Sequence, residues 1–207
     1  MKKLIIVSLL SLGALSAFSQ QKGSFELGVN LGYNGATVTN GSQTNTNYRN
    51  GVNFGVSGDY FFSDRWSIKS KISYDQKGWG NGYIEDLSSG QRYTTDYKID
   101  YVTIPVLANW HFGKKRNWYL HFGPHLGFLL SAKESRFNTD LKQMFQSVDV
   151  GLDLGIGVKI PVSKRTKLFF ELDGQAGFMD INAYQQNTTL QNSRSSINVG
   201  FVFDLKK

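Results

Sequence analysis

The chain has 207 residues, 23 lysines and arginines against 16 acidic residues, a net charge of +7 and no cysteine. The lack of cysteine excludes disulfide bonds and a lipid anchor on a cysteine, so stability has to come from packing and hydrogen bonding. Its length suits a single domain. The positive charge does not indicate a nucleic-acid partner, because the basic residues are spread over separate turns.

Residues 1–19 have the pattern of a secretory signal peptide. Lys2 and Lys3 precede an apolar stretch from Leu4 to Leu15, and small residues follow it. We expect cleavage after Ser19, which leaves residues 20–207 as the mature domain. The apolar stretch is shorter than the roughly 20 residues of a spanning helix, which disfavours an N-terminal membrane anchor.

Eight segments alternate between apolar residues and small or polar residues, the period of two that is typical of β-strands. Residues 148–160 keep this alternation well beyond the usual strand length of about 5–6 residues. A tilted strand of that length crosses the hydrocarbon core of a bilayer. In chain order the predicted strands are Ser24–Ala36, Gly51–Phe62, Trp66–Lys77, Ile99–Phe112, Trp118–Leu130, Val148–Ile160, Lys167–Phe178 and Ser195–Leu205.

The connections between these strands alternate in length. The short ones are Ser63–Arg65, Gly113–Asn117 and Pro161–Thr166, and the long ones are Thr37–Asn50, Gly78–Lys98, Ser131–Ser147 and Met179–Arg194. This layout predicts an all-β fold: a closed, up-and-down, eight-stranded antiparallel transmembrane β-barrel with short periplasmic turns and long extracellular loops. An even number of strands places both termini on the periplasmic side.

The glycines indicate which face of the strands points outward. A soluble lipocalin-like barrel is the main structural alternative, and it would turn its apolar face inward. Gly28, Gly123, Gly151, Gly155 and Gly200 lie with several others on the polar face. Small residues are needed where eight strands crowd a narrow axis, so the polar face is expected to line the interior. The apolar face then meets lipid, since in water it would far exceed the apolar patch that a monomer tolerates.

Charged residues alternate with the glycines on this inward face. They predict either a proton or ion path or a structural plug of salt bridges, and we favour the plug because eight strands leave no continuous aqueous channel. The predicted charge network comprises Glu26, Asp59, Lys69, Lys71, Asp75, Asp149, Asp153, Lys159, Glu171 and Asp173, with His121 and His125 on the same face.

Aromatic and basic residues sort by their distance from the short turns. Trp66, Trp110 and Trp118 adjoin short turns and predict a periplasmic aromatic girdle at the membrane boundary. A second band near the long loops would comprise Tyr33, Tyr74, Trp79, Phe128 and Phe178. A basic periplasmic rim facing anionic headgroups, or simply solvated turns, would comprise Lys22, Arg65, Lys114, Lys115, Arg116, Lys164, Arg165, Lys167, Lys206 and Lys207.

The sequence gives no support for a catalytic, cofactor or metal site. His121 and His125 lie four residues apart on one strand face, about 13 Å by strand rise, too far for a shared metal ion. Nucleophile-elbow, phosphate-loop and zinc motifs are missing. We therefore expect no enzyme and no cofactor, although a lipid A-modifying enzyme stays the third alternative.

Two stretches of the chain resemble motifs of a known family. The residues Tyr-Val-Thr-Ile-Pro-Val-Leu at 101–107 resemble a characteristic strand of the PorT-type, porin-like outer-membrane β-barrel proteins. The closing strand, with Gly200, Phe201 and Phe203, resembles the signal that the barrel-assembly machinery recognises. The resemblance implies insertion by that machinery, although Asp204–Lys207 follow an aromatic on which many barrels end. It supplies no catalytic residues.

Together these features predict a non-enzymatic protein of the Gram-negative outer membrane. Its role would be envelope structure or surface interaction through four long loops, rich in Asn, Gln, Thr and Ser, whose extracellular ligand the sequence does not identify. The expected partners are outer-membrane lipids, lipopolysaccharide and, during insertion, the assembly machinery. A small-solute or ion channel is the second alternative.

Overall fold

The computed structural model describes residues 22–40, 46–86, 88–184 and 189–205, so the predicted signal peptide and its cleavage site lie outside the described residues. Alternating sequence folds into eight strands, and a single turn of 3-10 helix at Lys142–Met144 lies in the loop after the fifth. The strands are β1 Phe25–Asn40, β2 Asn47–Phe61, β3 Trp66–Asp86, β4 Gln91–Phe112, β5 Trp118–Glu134, β6 Val148–Pro161, β7 Thr166–Gly177 and β8 Leu190–Leu205.

The strands form one closed antiparallel barrel in sequence order, which confirms the predicted fold. β8 closes the ring on β1 with pairs that run from Phe25 opposite Leu205 to Asn40 opposite Leu190. Closure leaves no open sheet edge, which is the condition for placing strands in hydrocarbon. Among the described residues no helix is long and apolar enough to cross a membrane.

The outward-facing apolar residues of the strands form a continuous belt around the barrel. Leu31, Ile72, Leu154 and Ile197 are each about 60% exposed, while their chain neighbours point inward. In β4, apolar on both faces, Val102, Ile104, Val106, Ala108 and Trp110 point outward. A belt of this composition is stable only against lipid.

Several strands extend beyond the predicted ends on the long-loop side. The predicted long connection Gly78–Lys98 is wrong, because β3 continues to Asp86 and β4 begins at Gln91. Residues 82–86 pair with residues 91–95 above the main wall, and we call these two segments the arm. Sequence alternation fails there because Gly78, Gly80 and Gly82 interrupt it and because neither face of the arm meets hydrocarbon.

Two prolines interrupt the hydrogen-bonded ladders of β4. The paired residues of β3 and β4 skip from Ser70–Val106 to Ser73–Thr103, opposite Pro105. The pairs of β4 and β5 skip from Pro105–His125 to Ala108–Phe122, opposite Pro124. Proline has no N–H to donate, so each skip is the expected local loss of pairing.

The long-loop end of the barrel is closed by an apolar cluster, which we call the cap. The loop after β5 folds back over the barrel mouth, where Leu141 and Phe145 contact apolar residues of the strand ends. Backbone bonds hold it there, from Leu141 N–H to the Ala132 carbonyl and from Gln146 N–H to the Ile181 carbonyl, both at 2.8 Å. The cap comprises Val38, Trp79, Ile99, Tyr101, Leu129, Ala132, Leu141, Phe145 and Ile181.

Candidate functional site

All ten predicted network residues point into the barrel, and none is more than 6% exposed. Strand alternation puts them there, since each has outward-facing apolar neighbours. Nine of them contact an oppositely charged side chain, a histidine or a hydrogen-bonding group. Lys71 lies opposite the interruption at Pro105, and its ammonium forms no ion pair within 4.0 Å in the described part of the chain.

At the short-turn end, two lysines share the carboxylates of three strands. Lys159 contacts Glu26 and lies 3.2 Å from Asp59. Lys167 lies 2.6 Å from the second oxygen of Glu26 and 2.7 Å from Asp204. Lys167 therefore does not belong to the predicted basic rim, because its position in β7 turns it inward and buries it.

In the middle of the barrel, Arg194 and Lys69 neutralise three carboxylates. Lys69 lies 2.7 Å from Glu171, and Arg194 lies 2.7 Å from Asp173 and 3.3 Å from Asp75. Neutral donors complete these contacts: the Tyr119 hydroxyl to Glu171 at 2.9 Å and the Asn34 amide to Asp75 at 2.8 Å. A buried carboxylate needs this density of partners, because an unpaired one costs several kcal/mol.

Toward the long-loop end the network becomes sparser. Lys77 lies 3.4 Å from Asp149, and the His125 ring contacts Asp153. Asn192 donates to Asp149 at 2.8 Å. The apolar cap begins directly beside these groups, since the centroid of the Tyr101 ring lies 5.1 Å from the Lys77 ammonium.

The sequence interpretation missed four charged members of the network: Lys77, Lys167, Arg194 and Asp204. Lys77 has the same strand parity as Lys69 and Asp75, so extending that alternation by one step would have found it. Arg194 lies on the same strand face as Ser196 and Asn198, but the sequence analysis placed it in the long connection Met179–Arg194. It is the largest fully buried side chain described.

The aromatic residues follow the predicted bands with one exception. Trp66, Trp110 and Trp118 point outward beside the short turns and are 37–45% exposed. Trp79 is only 6% exposed and belongs to the cap, so its predicted place in the outer band is wrong. In the closing strand, Phe201 and Phe203 point outward, and Gly200 leaves room for the Phe169 ring inside.

One trio in the barrel has the residue types of a hydrolytic triad. The Ser67 hydroxyl lies 2.9 Å from His111 Nε2, and an Asp59 oxygen lies 3.9 Å from the same nitrogen. A triad needs the acid on the other ring nitrogen, where it orients the base. Serine and histidine are also fully buried, so no substrate reaches them. This trio lacks the geometry of a catalytic site.

A second group has donor atoms of the kind that bind metal ions. Ligand atoms of His121, Glu171 and Asp173 lie within 4.8 Å of one another, and all three residues are buried. Lys69 and Arg194 already lie 2.7 Å from these carboxylates. A divalent ion would have to displace both cations, so the donor set fits internal ion pairs better than a metal.

The barrel interior leaves almost no space for solutes. The described cavity beside Glu26, Asp59 and Lys159 has a volume of about 10 Å³, roughly that of one water molecule. Above it, paired side chains and then the cap fill the axis. Side chains of the described residues therefore occupy the axis between the two ends of the barrel.

Above the belt, whose upper edge on β5 is Leu130, Glu134 fixes the start of the loop after β5. Its carboxylate accepts the N–H groups of Arg136, Phe137 and Thr139 at 2.6–2.9 Å and the Thr95 hydroxyl at 2.8 Å. Burial raises the pKa of this carboxyl, but the four hydrogen bonds outweigh burial and lower the pKa to about 2. The loop is therefore held by an ionised group.

Between the arm and this loop lies an open cavity of about 700 Å³, which we call the cleft. Its volume is in the range of small-ligand sites. Tyr83, Phe137 and Met144 are each about half exposed or more. The lining residues are Tyr83, Ile84, Glu85, Asp86, Tyr97, Phe137, Thr139, Leu141 and Met144.

Fold and interior together define a transmembrane β-barrel with a filled axis. Residues 18–183 match the family described as Outer membrane protein beta-barrel domain, and the chain belongs to that family. This places the protein in the outer membrane.

Solved barrels share the fold at low sequence identity. The outer membrane protein OprG from Pseudomonas aeruginosa superposes with a TM-score of 0.56 at 11% identity, over 91% of this chain and 99% of OprG. Neisserial surface protein A, NspA, gives 0.50 at 16% identity, over 86% and 98%. No curated protein matches the sequence.

Proposed function

We propose that this chain is a non-enzymatic surface-interaction protein whose long-loop end is extracellular and whose termini are periplasmic. The observation that carries the proposal is the filled axis, because a barrel without a path offers other molecules only its ends and its lipid face. Of the two ends, the long-loop end has the arm, the cap and the cleft. The narrower PorT-type assignment rests on residues 101–107 and the closing strand.

The cleft is the best candidate for the interacting surface. Exposed aromatic residues at an aqueous surface favour binding, since a side chain such as Phe137 gains by removing its ring from water. Four hydrogen bonds to Glu134 hold the loop that carries Phe137, and the Phe137 ring packs edge-on against Tyr93 with a centroid distance of 5.4 Å, so the site is formed before a ligand arrives. A preformed site loses less entropy on binding.

Two observations support this proposal over its two alternatives. A small-solute channel needs a continuous water path, whereas the lumen carries ion pairs and a cavity of about 10 Å³. A lipid A-modifying enzyme needs a nucleophile and base at the lipid face, whereas Ser67 and His111 are fully buried. We propose outer-membrane lipids as partners of the inserted protein and the barrel-assembly machinery as its partner during insertion.

Two measurements on purified protein test the proposal. In planar bilayers we expect no unitary conductance steps, and reproducible steps would overturn the filled-axis interpretation. On glycan and peptide arrays, we expect wild-type protein in nanodiscs to bind a defined ligand class that Phe137→Ser/Met144→Ser loses. The matched control is Tyr60→Ser/Phe62→Ser, which changes two exposed apolar residues near a short turn. Equal binding by both double variants, or no ligand at all, would contradict the cleft assignment.

A further inference from the structure

Two exposed lysines face each other directly across neighbouring strands at the long-loop side. Lys98 of β4 is opposite Lys133 of β5 in the hydrogen-bonded register. Both point outward, because Ile99 on one strand and Ala132 and Glu134 on the other are buried. Directly opposite residues have their Cβ atoms about 5 Å apart, where like charges destabilise the pair.

Neither lysine forms an ion pair in the described part of the chain, although Asp140 lies opposite Lys133 in an isolated β-bridge. In the described part of the chain neither ammonium has a carboxylate within 4.0 Å. The acidic residues nearest in sequence make other contacts as well. Asp96 accepts the Asn81 N–H at 3.3 Å, Asp100 interacts with Tyr74 and Arg49, and Asp140 accepts the Lys142 N–H at 2.9 Å.

The position of the pair matches the headgroup layer of a membrane. Twelve residues separate Trp110 from Lys98 along β4. At a rise of roughly 3.3 Å per residue and a tilt of roughly 40°, this is about 30 Å along the membrane normal. The apolar band of such barrels is about 25 Å tall, so the ammonium groups lie a few ångströms beyond the hydrocarbon.

The wall next to the pair is open. Lys98 is opposite Gly78 on its other side, so no side chain from β3 covers it there. On the far side of Gly78, the Arg49 guanidinium donates to the Lys77 carbonyl. Three cations from β2, β4 and β5 therefore border one stretch of outer wall that a glycine leaves uncovered.

We propose that Lys98 and Lys133 bind a phosphate group of a lipid A-type glycolipid in the outer leaflet. One phosphate between the two ammonium groups replaces their repulsion by two charge-assisted hydrogen bonds. Phosphate rather than carboxylate fits, since phosphates are the anions that a bilayer presents at this depth. The choice of the outer leaflet rests on the orientation given under Proposed function.

Native mass spectrometry of the purified protein tests this, with bisphosphorylated lipid A and chemically dephosphorylated lipid A as probes. We expect wild type to bind the bisphosphorylated form at least about tenfold more tightly, as two cations at about 1 kcal/mol each imply. Lys98→Gln/Lys133→Gln should lose that preference, and Lys98→Arg/Lys133→Arg should keep it. The matched control Lys114→Gln/Lys164→Gln removes two exposed lysines from short turns and should also keep it.

The outcomes distinguish a specific phosphate site from a general attraction to anionic lipid. Equal binding of both lipids by wild type, or an unchanged preference in Lys98→Gln/Lys133→Gln, would overturn the proposal. Phosphatidylglycerol serves as a second anionic lipid, and binding as tight as that of lipid A would overturn the assignment to lipid A. Because the protein is purified, the result does not depend on its orientation in the cell. A failed array screen of the cleft would also leave this result untouched.

Discussion

The lumen and the cap close the same barrel by opposite chemistry. In the lumen, Arg194 and the lysines pair with carboxylates from several strands, so each ion pair ties distant parts of the wall together. In the cap, Phe145 and Leu141 pack on apolar strand ends and need no specific partner. Ion pairs specify register but tolerate no missing member, whereas apolar packing loses stability in proportion to the area removed. Substitutions in each region can test this difference.

The largest effect is expected at Arg194, whose removal leaves Asp173 and Asp75 buried without their cation. Arg194→Met keeps most of the side-chain volume and should lower the free energy of unfolding by roughly 3–5 kcal/mol. Urea unfolding in lipid vesicles, followed by gel mobility, measures it. The control is Arg92→Met, because Arg92 is 74% exposed and its pair with Glu85 is worth at most about 1 kcal/mol. A loss at Arg194 no larger than at Arg92 would contradict the role of the network.

A substitution in the cap should destabilise the cap and leave the stability of the barrel unchanged. Phe145→Ala removes a ring that is 7% exposed, and we expect a cost of about 3 kcal/mol confined to the cap. The amides of Leu141 and Gln146 should then exchange with solvent roughly a hundredfold faster, while the barrel unfolds as in wild type. Met144→Ala is the control, since Met144 is 48% exposed. If Phe145→Ala destabilised the whole barrel, cap and lumen would be one cooperative unit.

The free-energy cost of replacing a glycine by alanine should depend on which side of the barrel wall the glycine faces. A methyl group on Gly155 would overlap the His121 ring and lie 2.9 Å from the Leu172 carbonyl. We therefore expect Gly155→Ala to cost about 1–3 kcal/mol. Gly174 faces outward with its nearest neighbour at 3.8 Å, so Gly174→Ala should stay within about 0.5 kcal/mol of wild type. Urea unfolding distinguishes them, and equal losses would mean that the interior is packed more loosely than these contacts imply.

The smallest expected effect is a pH-dependent loss of stability in the loop after β5. The pKa of Glu134 is lowered from 4.5 to about 2, so its ionised form stabilises the loop. This stabilisation is fully present above about pH 4.5 and is lost as the pH falls through about 2. The amide proton shifts of Phe137 and Thr139 in NMR spectra should follow that titration in wild type and stay flat in Glu134→Gln. Flat shifts in wild type would show that another group holds the loop.

Sequence periodicity was sufficient for the part of the chain that meets lipid. All eight strands, the three short turns and the inward glycines follow from alternation, because hydrocarbon outside and a crowded axis inside act on every second residue. Where the strands leave the membrane this constraint ends, and the prediction fails at Gly78–Lys98 and at Trp79. Arg194 was missed for the same reason, since the start of β8 has polar residues on both faces.

The sequence by itself determined which face of each strand meets lipid and identified ten of the charges that lie inside, because strand geometry sends alternate side chains to opposite sides. Only the tertiary structure decided which charges pair, since ion pairs such as Lys159 with Glu26 join strands that are far apart in the chain. It also decided that the loop after β5 closes the barrel. That closure depends on apolar contacts between non-repeating segments, and no local period in the sequence encodes those contacts.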